Sequence, residues 1–364
     1  MTRNEDSHVF IIAEAGVNHN GRFDLALELV NVAAEAGADA VKFQTFSANK
    51  LANSKAPKAD YQKRTTKSKE SQLEMLQKLE LSHESHYQLK AHAQKRGITF
   101  LSSAFDEDSL DFLNKLDLPL YKIPSGEITN APLLWKFAKS GKPLILSTGM
   151  ATLGEVEEAL AIVTHALNHD KQPDSLHDVW FSWCNTAHRK ALKSHVTLLH
   201  CTSQYPTPYR EANLRAMMTL KSAFNLDIGY SDHTEGTLVP VAAVAMGAKV
   251  IEKHFTLNKE LKGPDHMASL APDELKAMVR EIRILQEVLG NEIKAPQSHE
   301  WQTRLAARQQ LVAAQPIQSG QPFTPQNLGT SRAEAGTSPI HYWDLLGKTA
   351  KNSYSNGDAI SECL

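Results

Sequence analysis

The sequence predicts an α/β protein, a (β/α)8 barrel of the TIM type followed by a small β-rich module at the C-terminus. Eight short apolar runs occur before residue 255, and helical stretches lie between them. Several of these stretches end at a glycine that a new strand follows, a pattern typical of parallel αβ units. Eight units over about 285 residues favour a closed barrel, with an open doubly wound sheet as the alternative.

The strand candidates are rich in Val, Ile, Leu and Phe, as strands buried on both faces should be. In chain order they span residues 9–14, 38–44, 98–103, 118–125, 143–148, 196–201, 226–231 and 248–254. The helices between them are amphipathic, and three are expected to stop at Gly37, Gly97 and Gly247. Parallel strands need such crossover connections, so the elements are mutually consistent.

The predicted boundaries place the barrel at 1–290, a polar linker at 291–303 and the β-rich module at 304–364. One segment, 164–195, is longer than an αβ connection needs. It is expected to be an insertion packed by Trp180 and Trp183, or else a surface for a partner.

Composition excludes several classes of function. Hydrophobic residues make up 41% of the chain, which allows a sizeable core, and the formal net charge of −2 gives no footprint for nucleic acid. The N-terminus lacks the pattern of a signal peptide, and no apolar run approaches the ~20 residues that cross a bilayer. Cys184, Cys201 and Cys363 are too scattered for a disulfide framework or a zinc site. A cytoplasmic protein is expected, with no membrane or nucleic-acid partner.

Every predicted barrel strand ends in ionisable or hydroxyl groups. These are Glu14, Lys42, Gln44, Ser102, Ser103, Lys122, Ser125, Glu127, Ser147, Thr148, His200, Thr202, Ser231, Asp232, His233, Glu252 and His254. Barrel active sites lie at the C-terminal ends of the strands, so these groups are expected to share one site. A core or surface role would explain one such end, but the full set favours a catalytic site.

The cationic and hydroxyl groups among these strand ends suit a phosphate and a carboxylate. The candidates are Lys42, Lys122, Ser103, Ser125, Ser147 and Ser231. Because the lysines follow different strands, their joint presence favours anion binding over two independent lysines at the edge of the core.

His233 and His254 end neighbouring strands, so their imidazoles can converge on a divalent metal. Mn²⁺ with open coordination positions is expected, and Mg²⁺ or Co²⁺ are alternatives. Glu14 and Glu127 are candidates for proton transfer, and the sequence leaves open which of them acts.

At these residues the chain resembles the bacterial sialic acid synthase family, the N-acylneuraminate and legionaminate synthases. The C-terminal module contains "LVAAQPIQSGQPFTPQNL" (311–328), "SRAEAGTSP" (331–339) and "YWDLLGKTA" (342–350), and at these residues it is similar to the family's antifreeze-like (SAF) domain. The matching barrel stretches are "IIAEAGVNHNG" (11–21), "GADAVKFQTF" (37–46), "YKIPSGEI" (121–128), "LSTGMAT" (146–152), "LLHCTSQYPTP" (198–208), "GYSDHT" (229–234), "GAKVIEKHFTL" (247–257) and "GPDHMASL" (263–270).

The resemblance implies that phosphoenolpyruvate, an N-acetylated mannosamine-type sugar and water give a nine-carbon 2-keto-3-deoxy acid and phosphate. It also implies that His233 and His254 hold Mn²⁺. The implied phosphoenolpyruvate contacts are Lys42, Ser103, Lys122, Ser125, Ser147, Ser203 and Ser231. The implied sugar contacts are Gln44, Glu127, Tyr205 and Asp265. Ser203 departs from the family pattern, because some members have an asparagine there.

The family's dimer implies a further contact, since the SAF domain of one chain reaches over the barrel of its partner. The arginine that closes the sugar site corresponds to Arg332, within "RAE" (332–334) where many relatives have Arg-Pro-Gly. A domain-swapped homodimer is therefore expected.

Two competing functions stay open from the sequence. A related phosphoenolpyruvate-dependent aldol-type synthase acting on a phosphorylated sugar would need a second phosphate clamp, and the barrel loops contain no arginine cluster for it. A non-catalytic sugar-binding barrel would not need so many catalytic-type groups. The choice between N-acetylmannosamine, giving N-acetylneuraminate, and a 2,4-diacetamido-6-deoxy sugar, giving legionaminate, also stays open.

Overall fold

The computed structural model describes residues 8–59, 62–63, 66 and 70–361. The chain divides into two compact units after Gly290. Cys363, one of the three cysteines, lies outside the described residues; Cys184 is exposed and Cys201 is buried, both as free thiols. No helix in the described part of the chain is both long enough and apolar enough to cross a membrane.

The first unit contains eight parallel strands in the order β3-β2-β1-β8-β7-β6-β5-β4. The two outer strands of this order, β3 and β4, also contact each other, so the sheet curves into the predicted barrel. The strands are β1 Phe10–Gly16, β2 Ala40–Thr45, β3 Thr99–Ala104, β4 Tyr121–Ile123, β5 Leu144–Ser147, β6 Val196–Cys201, β7 Asp227–Asp232 and β8 Val250–His254.

Strand β4 is shorter than its predicted range, 118–125. Pro119 and Pro124 lie on either side of it, and neither has an N–H to donate to a neighbouring strand. The chain continues after Pro124 as a short 3₁₀ turn, Ser125–Glu127, which carries two predicted site residues.

Helices surround the barrel and fill most crossovers. They are α1 Phe23–Ala36, α2 Ala48–Leu51, α3 Gln72–Gln77, α4 His83–Arg96, α5 Glu107–Leu116, α6 Ala131–Lys139, α7 Leu153–Asn168, α8 Leu176–Cys184, α9 Thr186–Arg189, α10 Leu192–His195, α11 Arg215–Phe224, α12 Leu238–Ala245 and α13 Pro272–Leu289. Gly37 and Gly97 cap α1 and α4 in the left-handed conformation, as their sequence patterns predicted.

The segment 164–195 is helical. Its first residues extend α7, and α8, α9 and α10 follow. Trp183 packs against the barrel core and its indole N–H donates to Glu157 at 2.9 Å. Trp180 is 36% exposed, so only one of the two tryptophans fulfils the predicted packing role.

The second unit has its own small core. Its strands β9, Gln309–Ala313, and β10, Leu328–Arg332, are antiparallel. This unit also contains the helices α14 Glu300–Ala307 and α15 Tyr342–Leu345. Helix α14 begins inside the predicted linker, so part of 291–303 is ordered as helix. The core side chains are Leu311, Ala313, Ile317, Phe323, Leu328, Leu345, Ala350, Tyr354 and Ile360.

Candidate active site at the barrel mouth

A cavity of about 440 Å³ opens at the C-terminal ends of the barrel strands. All the site residues that the sequence predicted within the barrel line it. They are Glu14, Lys42, Gln44, Ser103, Lys122, Ser125, Glu127, Ser147, Ser203, Tyr205, Ser231, His233, His254 and Asp265. Residues from distant parts of the chain therefore meet in one place.

Some strand-end groups that were expected to share this site do not line it. Ser102 contacts Thr45 Oγ1 at 2.7 Å, and His200 Nε2 contacts the Ala212 carbonyl at 2.9 Å. Thr148 and Thr202 also bond to backbone carbonyls. Successive side chains of a strand point to opposite faces, so alternate residues at the strand ends point toward the surrounding helices and not into the cavity.

The predicted anion site contains carboxylates as well as cations. Lys42 Nζ lies 2.7 Å from Glu14 Oε2 and 3.6 Å from Glu252 Oε2, and it donates to Ser103 Oγ at 3.1 Å. Lys122 Nζ lies 3.1 Å from Glu252 Oε1. All four charged side chains are almost fully buried. Glu252 thus joins both lysines, and the positive charge is less free than the sequence indicated.

The two carboxylates have opposite electrostatics. Burial raises the pKa of Glu14 to about 7, although Lys42 acts against the shift. Burial also opposes ionisation of Glu252, but Lys122, Lys42 and the Ser231 hydroxyl outweigh it and lower its pKa. Ser231 Oγ donates to Glu252 at 2.9 Å. Glu252 is therefore the fixed anion of the cluster, and Glu14 is the group that can exchange a proton near neutral pH.

A glycine brings backbone close to the serines. Gly149 N donates to Ser125 Oγ at 3.0 Å, and a Cβ at this position would lie 2.3 Å from Ser203 Oγ. Only glycine fits without displacing the serines. Nearby, Ser147 Oγ is buried and has no hydrogen-bond partner among the described residues. An unpaired buried hydroxyl is costly unless a ligand pairs with it.

The rings of His233 and His254 lie side by side, with centroids 5.5 Å apart, and the Tyr205 ring lies 4.1 Å from that of His233. His233 Nδ1 lies 2.8 Å from the Thr202 carbonyl, which fixes a proton on that nitrogen and leaves the lone pair of Nε2 to bind a metal ion. His254 Nδ1 is buried without a hydrogen-bond partner in the described chain. Burial, His233 and Lys42 lower the pKa of His254 well below its usual value, so its ring is neutral.

These observations fit a divalent metal. Neutral imidazole nitrogen is a common transition-metal ligand, and an orphaned buried nitrogen is satisfied by such an ion. Among the described residues no group of three His, Cys, Asp or Glu side chains is arranged to hold a metal. The two histidines would therefore leave most coordination positions to water and substrate.

Two features of the cavity were missed at the residue level. The sequence places Glu252 at a strand end but indicates no role for it, because its pairing depends on lysines from β2 and β4. An apolar wall also lines the mouth, and no periodic pattern of apolar residues indicates it. Its side chains are Val17, Leu51, Met75, Leu76, Leu79 and Phe105.

Asp265 offers a test of the site's electrostatics. Burial raises its pKa from the ordinary 3.8 to about 6, with His233 acting against the shift. The folded protein thus holds this proton more tightly than the unfolded chain, and stability falls as pH rises from about 4 to about 6. The penalty corresponds to about 3 kcal/mol above that range.

Asp265→Asn should raise the free energy of unfolding by about 3 kcal/mol at pH 8 and by about half as much at pH 5. Urea unfolding in EDTA measures both, and a pH-independent difference would contradict the assignment.

Arg332, the predicted sugar contact of the second unit, is the last residue of β10 and is exposed.

Comparison with known proteins identifies the family. The model of the NeuB family matches residues 29–294. The chain belongs to the NeuB family. The SAF domain model matches residues 308–362. The family and fold predicted from the sequence are therefore confirmed.

The relatives of this NeuB-family chain match it over nearly its whole length. The N,N'-diacetyllegionaminic acid synthase of Campylobacter jejuni is 49% identical over 352 residues, 97% of this chain and 98% of the relative. The corresponding synthase of Legionella pneumophila is 44% identical, covering 96% and 93%. A solved sialic acid synthetase of Leptospira borgpetersenii, in complex with citrate, is 34% identical with a TM-score of 0.67, covering 83% of this chain and 94% of that one.

Proposed function

We propose that this NeuB-family chain is an N,N'-diacetyllegionaminate synthase. It condenses phosphoenolpyruvate with a 2,4-diacetamido-6-deoxy sugar of the mannosamine type and water, and it releases phosphate. The observation that carries the proposal is that two lysines, the histidine pair and a proton-exchanging glutamate open on one cavity. The identity to two diacetyllegionaminic acid synthases supports the choice of product.

Phosphoenolpyruvate binds where cations and hydroxyls converge. Lys42 and Lys122 pair with its phosphate and carboxylate, and the unpartnered Ser147 hydroxyl gains a hydrogen bond. Glu252 stays between the two ammonium groups and keeps them in place. The enol carbon of the bound substrate then attacks the sugar aldehyde, and carbon–oxygen cleavage after water addition releases phosphate.

His233 and His254 hold the divalent metal, for which we propose Mn²⁺. When bound, the metal acts as a Lewis acid for the sugar carbonyl. Glu14 moves protons, because its pKa of about 7 allows both protonation states at neutral pH. Glu127 is half-buried and accepts a hydrogen bond from Asn130 at 2.7 Å, which suits a contact that orients the sugar.

The apolar wall supports a sugar with a methyl end. A 6-deoxy carbon and acetamido methyl groups gain from burial against Met75, Leu76 and Leu79, whereas a hydroxymethyl or phosphate group there loses hydration. No arginine is among the described residues that line the cavity. This composition disfavours a phosphorylated sugar.

A substrate panel tests the proposal. The purified chain with Mn²⁺ and phosphoenolpyruvate is incubated with the diacetamido-6-deoxy sugar, with N-acetylmannosamine, or with its 6-phosphate. Phosphate release and product mass are measured. We expect a kcat/KM for the first sugar about 10 to 100 times that for the second. Release of phosphate with no sugar would indicate a different enzyme, and release with none of the sugars would indicate a binding protein.

The wall makes a specific prediction. Met75→Gln keeps the side-chain length but places an amide on the wall. The kcat/KM for the 6-deoxy sugar should fall about 10-fold relative to that for N-acetylmannosamine. The KM for phosphoenolpyruvate measured in the same variant is the internal control. If the ratio of the two kcat/KM values were unchanged, the apolar wall would not determine which sugar the enzyme prefers.

We further propose that the active form is a domain-swapped homodimer in which Arg332 of one chain closes the sugar site of its partner. Arg332→Ala should raise the sugar KM about 10 to 100-fold and leave the phosphoenolpyruvate KM unchanged. Arg308→Ala, an exposed arginine of the same unit, is the matched control.

Co-expression separates the swapped arrangement from an arginine that acts within one chain. A mixed dimer of His233→Ala and Arg332→Ala chains contains one site with both residues intact only if Arg332 acts on the partner. Activity well above that of either variant alone is expected. No recovery in an isolated mixed dimer would contradict the swap.

A further inference from the structure

A buried ion pair lies directly behind the two histidines. Asp232 is the last residue of β7 and directly precedes His233, and Lys253 precedes His254 on β8. The two strands are parallel, with Asp232 opposite Lys253. Because side chains alternate along a strand, the histidines point into the cavity and the ion pair points away from it. The exposed fractions of the Lys253 and Asp232 side chains are 1% and 0%.

The ion pair also hydrogen-bonds to Thr234, the residue that follows His233. Lys253 Nζ contacts Asp232 Oδ2 and donates to the Thr234 carbonyl at 2.6 Å. The Asp232 carboxylate accepts from Thr234 N and from Thr234 Oγ1, each at 3.0 Å. His233 is thus held between two residues whose positions one ion pair fixes. Lys253, the other member of the pair, adjoins His254 in the chain.

Stability alone does not account for this arrangement. Removing two charges from water is costly, and an apolar pair of similar volume usually stabilises a core at least as well. What an apolar pair cannot do is hydrogen-bond to Thr234 and so fix the turn that carries His233. Groups that orient metal ligands commonly contribute 10 to 100-fold in metal affinity.

We infer that Asp232 and Lys253 are positioning residues that set the separation of the two metal-ligating imidazoles. The inference rests on the proposed function, since it assumes that His233 and His254 hold the metal. Neither residue is among the described residues that line the cavity. Their effect is on the affinity of the ligand pair for the ion, and through it on turnover.

Three variants test the inference: Asp232→Asn, Lys253→Met, and the double variant Asp232→Leu with Lys253→Met. Thermal unfolding is measured in EDTA, and Mn²⁺ affinity is measured by calorimetry on the metal-free full chain. Each single variant should lose stability, because it leaves a buried partner unpaired. The double variant should recover part of that stability, since the buried Thr234 still lacks its partners, yet bind Mn²⁺ about 10 to 100-fold more weakly than the wild type. Its phosphoenolpyruvate affinity should stay within about twofold.

A second ion pair provides the control. Arg283 pairs with Asp39 at 2.7 Å and donates to the Val9 carbonyl at 2.7 Å. Val9 and Asp39 directly precede β1 and β2, so this pair lies at the end of the barrel opposite to the histidines. Asp39→Asn should reduce stability and leave Mn²⁺ affinity unchanged. If the double variant bound Mn²⁺ as tightly as the wild type, this inference would be wrong and the proposed metal site would be unaffected. Absence of Mn²⁺ binding by the wild type would overturn the proposed metal site, and the inference with it.

Discussion

His233→Ala and His254→Ala should each reduce metal-dependent phosphate release by at least about 10³-fold. The two rings are 5.5 Å apart, and the described residues offer no further protein ligand in a ready arrangement. A single remaining imidazole would then hold the ion weakly. Steady-state turnover over a Mn²⁺ titration measures the loss. Calorimetry on the same proteins shows whether metal affinity falls with it.

His200→Gln is the matched control for the histidine variants. His200 also lies near the end of a barrel strand, but its ring contacts the Ala212 carbonyl and does not line the cavity. This variant should keep Mn²⁺ affinity within about twofold of the wild type. If either alanine variant retained full turnover at saturating metal, the ligand assignment would fail.

The barrel could be predicted because its physical causes are local in the sequence. Parallel strands covered on both faces are continuous apolar runs, and a left-handed residue is needed where a helix stops, which Gly37 and Gly97 supply. The apolar pattern does not determine where every strand ends. Pro119 and Pro124 shorten β4, an effect that an apolar pattern extending across both prolines conceals.

The composition of the cavity could be predicted, but its charge balance could not. The carboxyl ends of parallel strands meet at one end of a barrel, so the residues at these ends predict that the lysines, serines and histidines share one site. Which carboxylate pairs with which ammonium depends on side-chain reach across the barrel. The role of Glu252 is therefore visible only in the structure, where Lys42 and Lys122 lie beside it. The outward direction of Asp232 could have been inferred from strict alternation with His233.

The apolar wall belongs to a different class of omission. Met75 and Leu76 lie on α3, a short helix in the long connection after β2. They pack with Val17 and Phe46 in a small cluster separate from the barrel core. Short elements in a long loop carry little periodic signal, so their contribution to a cavity emerges only from tertiary structure.

Glu252→Gln should lower the free energy of unfolding by about 3 to 5 kcal/mol, because it leaves two buried ammonium groups without their shared carboxylate. Lys122 and Lys42 are 4% and 3% exposed, so water cannot replace the lost anion. A bound anion can. Phosphoenolpyruvate or inorganic phosphate should therefore raise the melting temperature of this variant more than that of the wild type. Thermal unfolding across a ligand titration measures both effects.

Glu127→Gln is the control for Glu252→Gln, because it also removes a carboxylate from the cavity but leaves the electrostatic pairing of the two lysines intact. Glu127 is half-buried and hydrogen-bonds to Asn130, whereas Glu252 lies between two ammonium groups. Burial raises the pKa of Glu127, so neutralising it relieves a cost instead of creating one. Its stability should change by less than about 1 kcal/mol, and phosphate should stabilise it as it does the wild type. If the Glu252→Gln and Glu127→Gln variants were equally stable, Glu252 would not be the group that stabilises the two buried lysines. The anion site of the free enzyme would then have to be cationic.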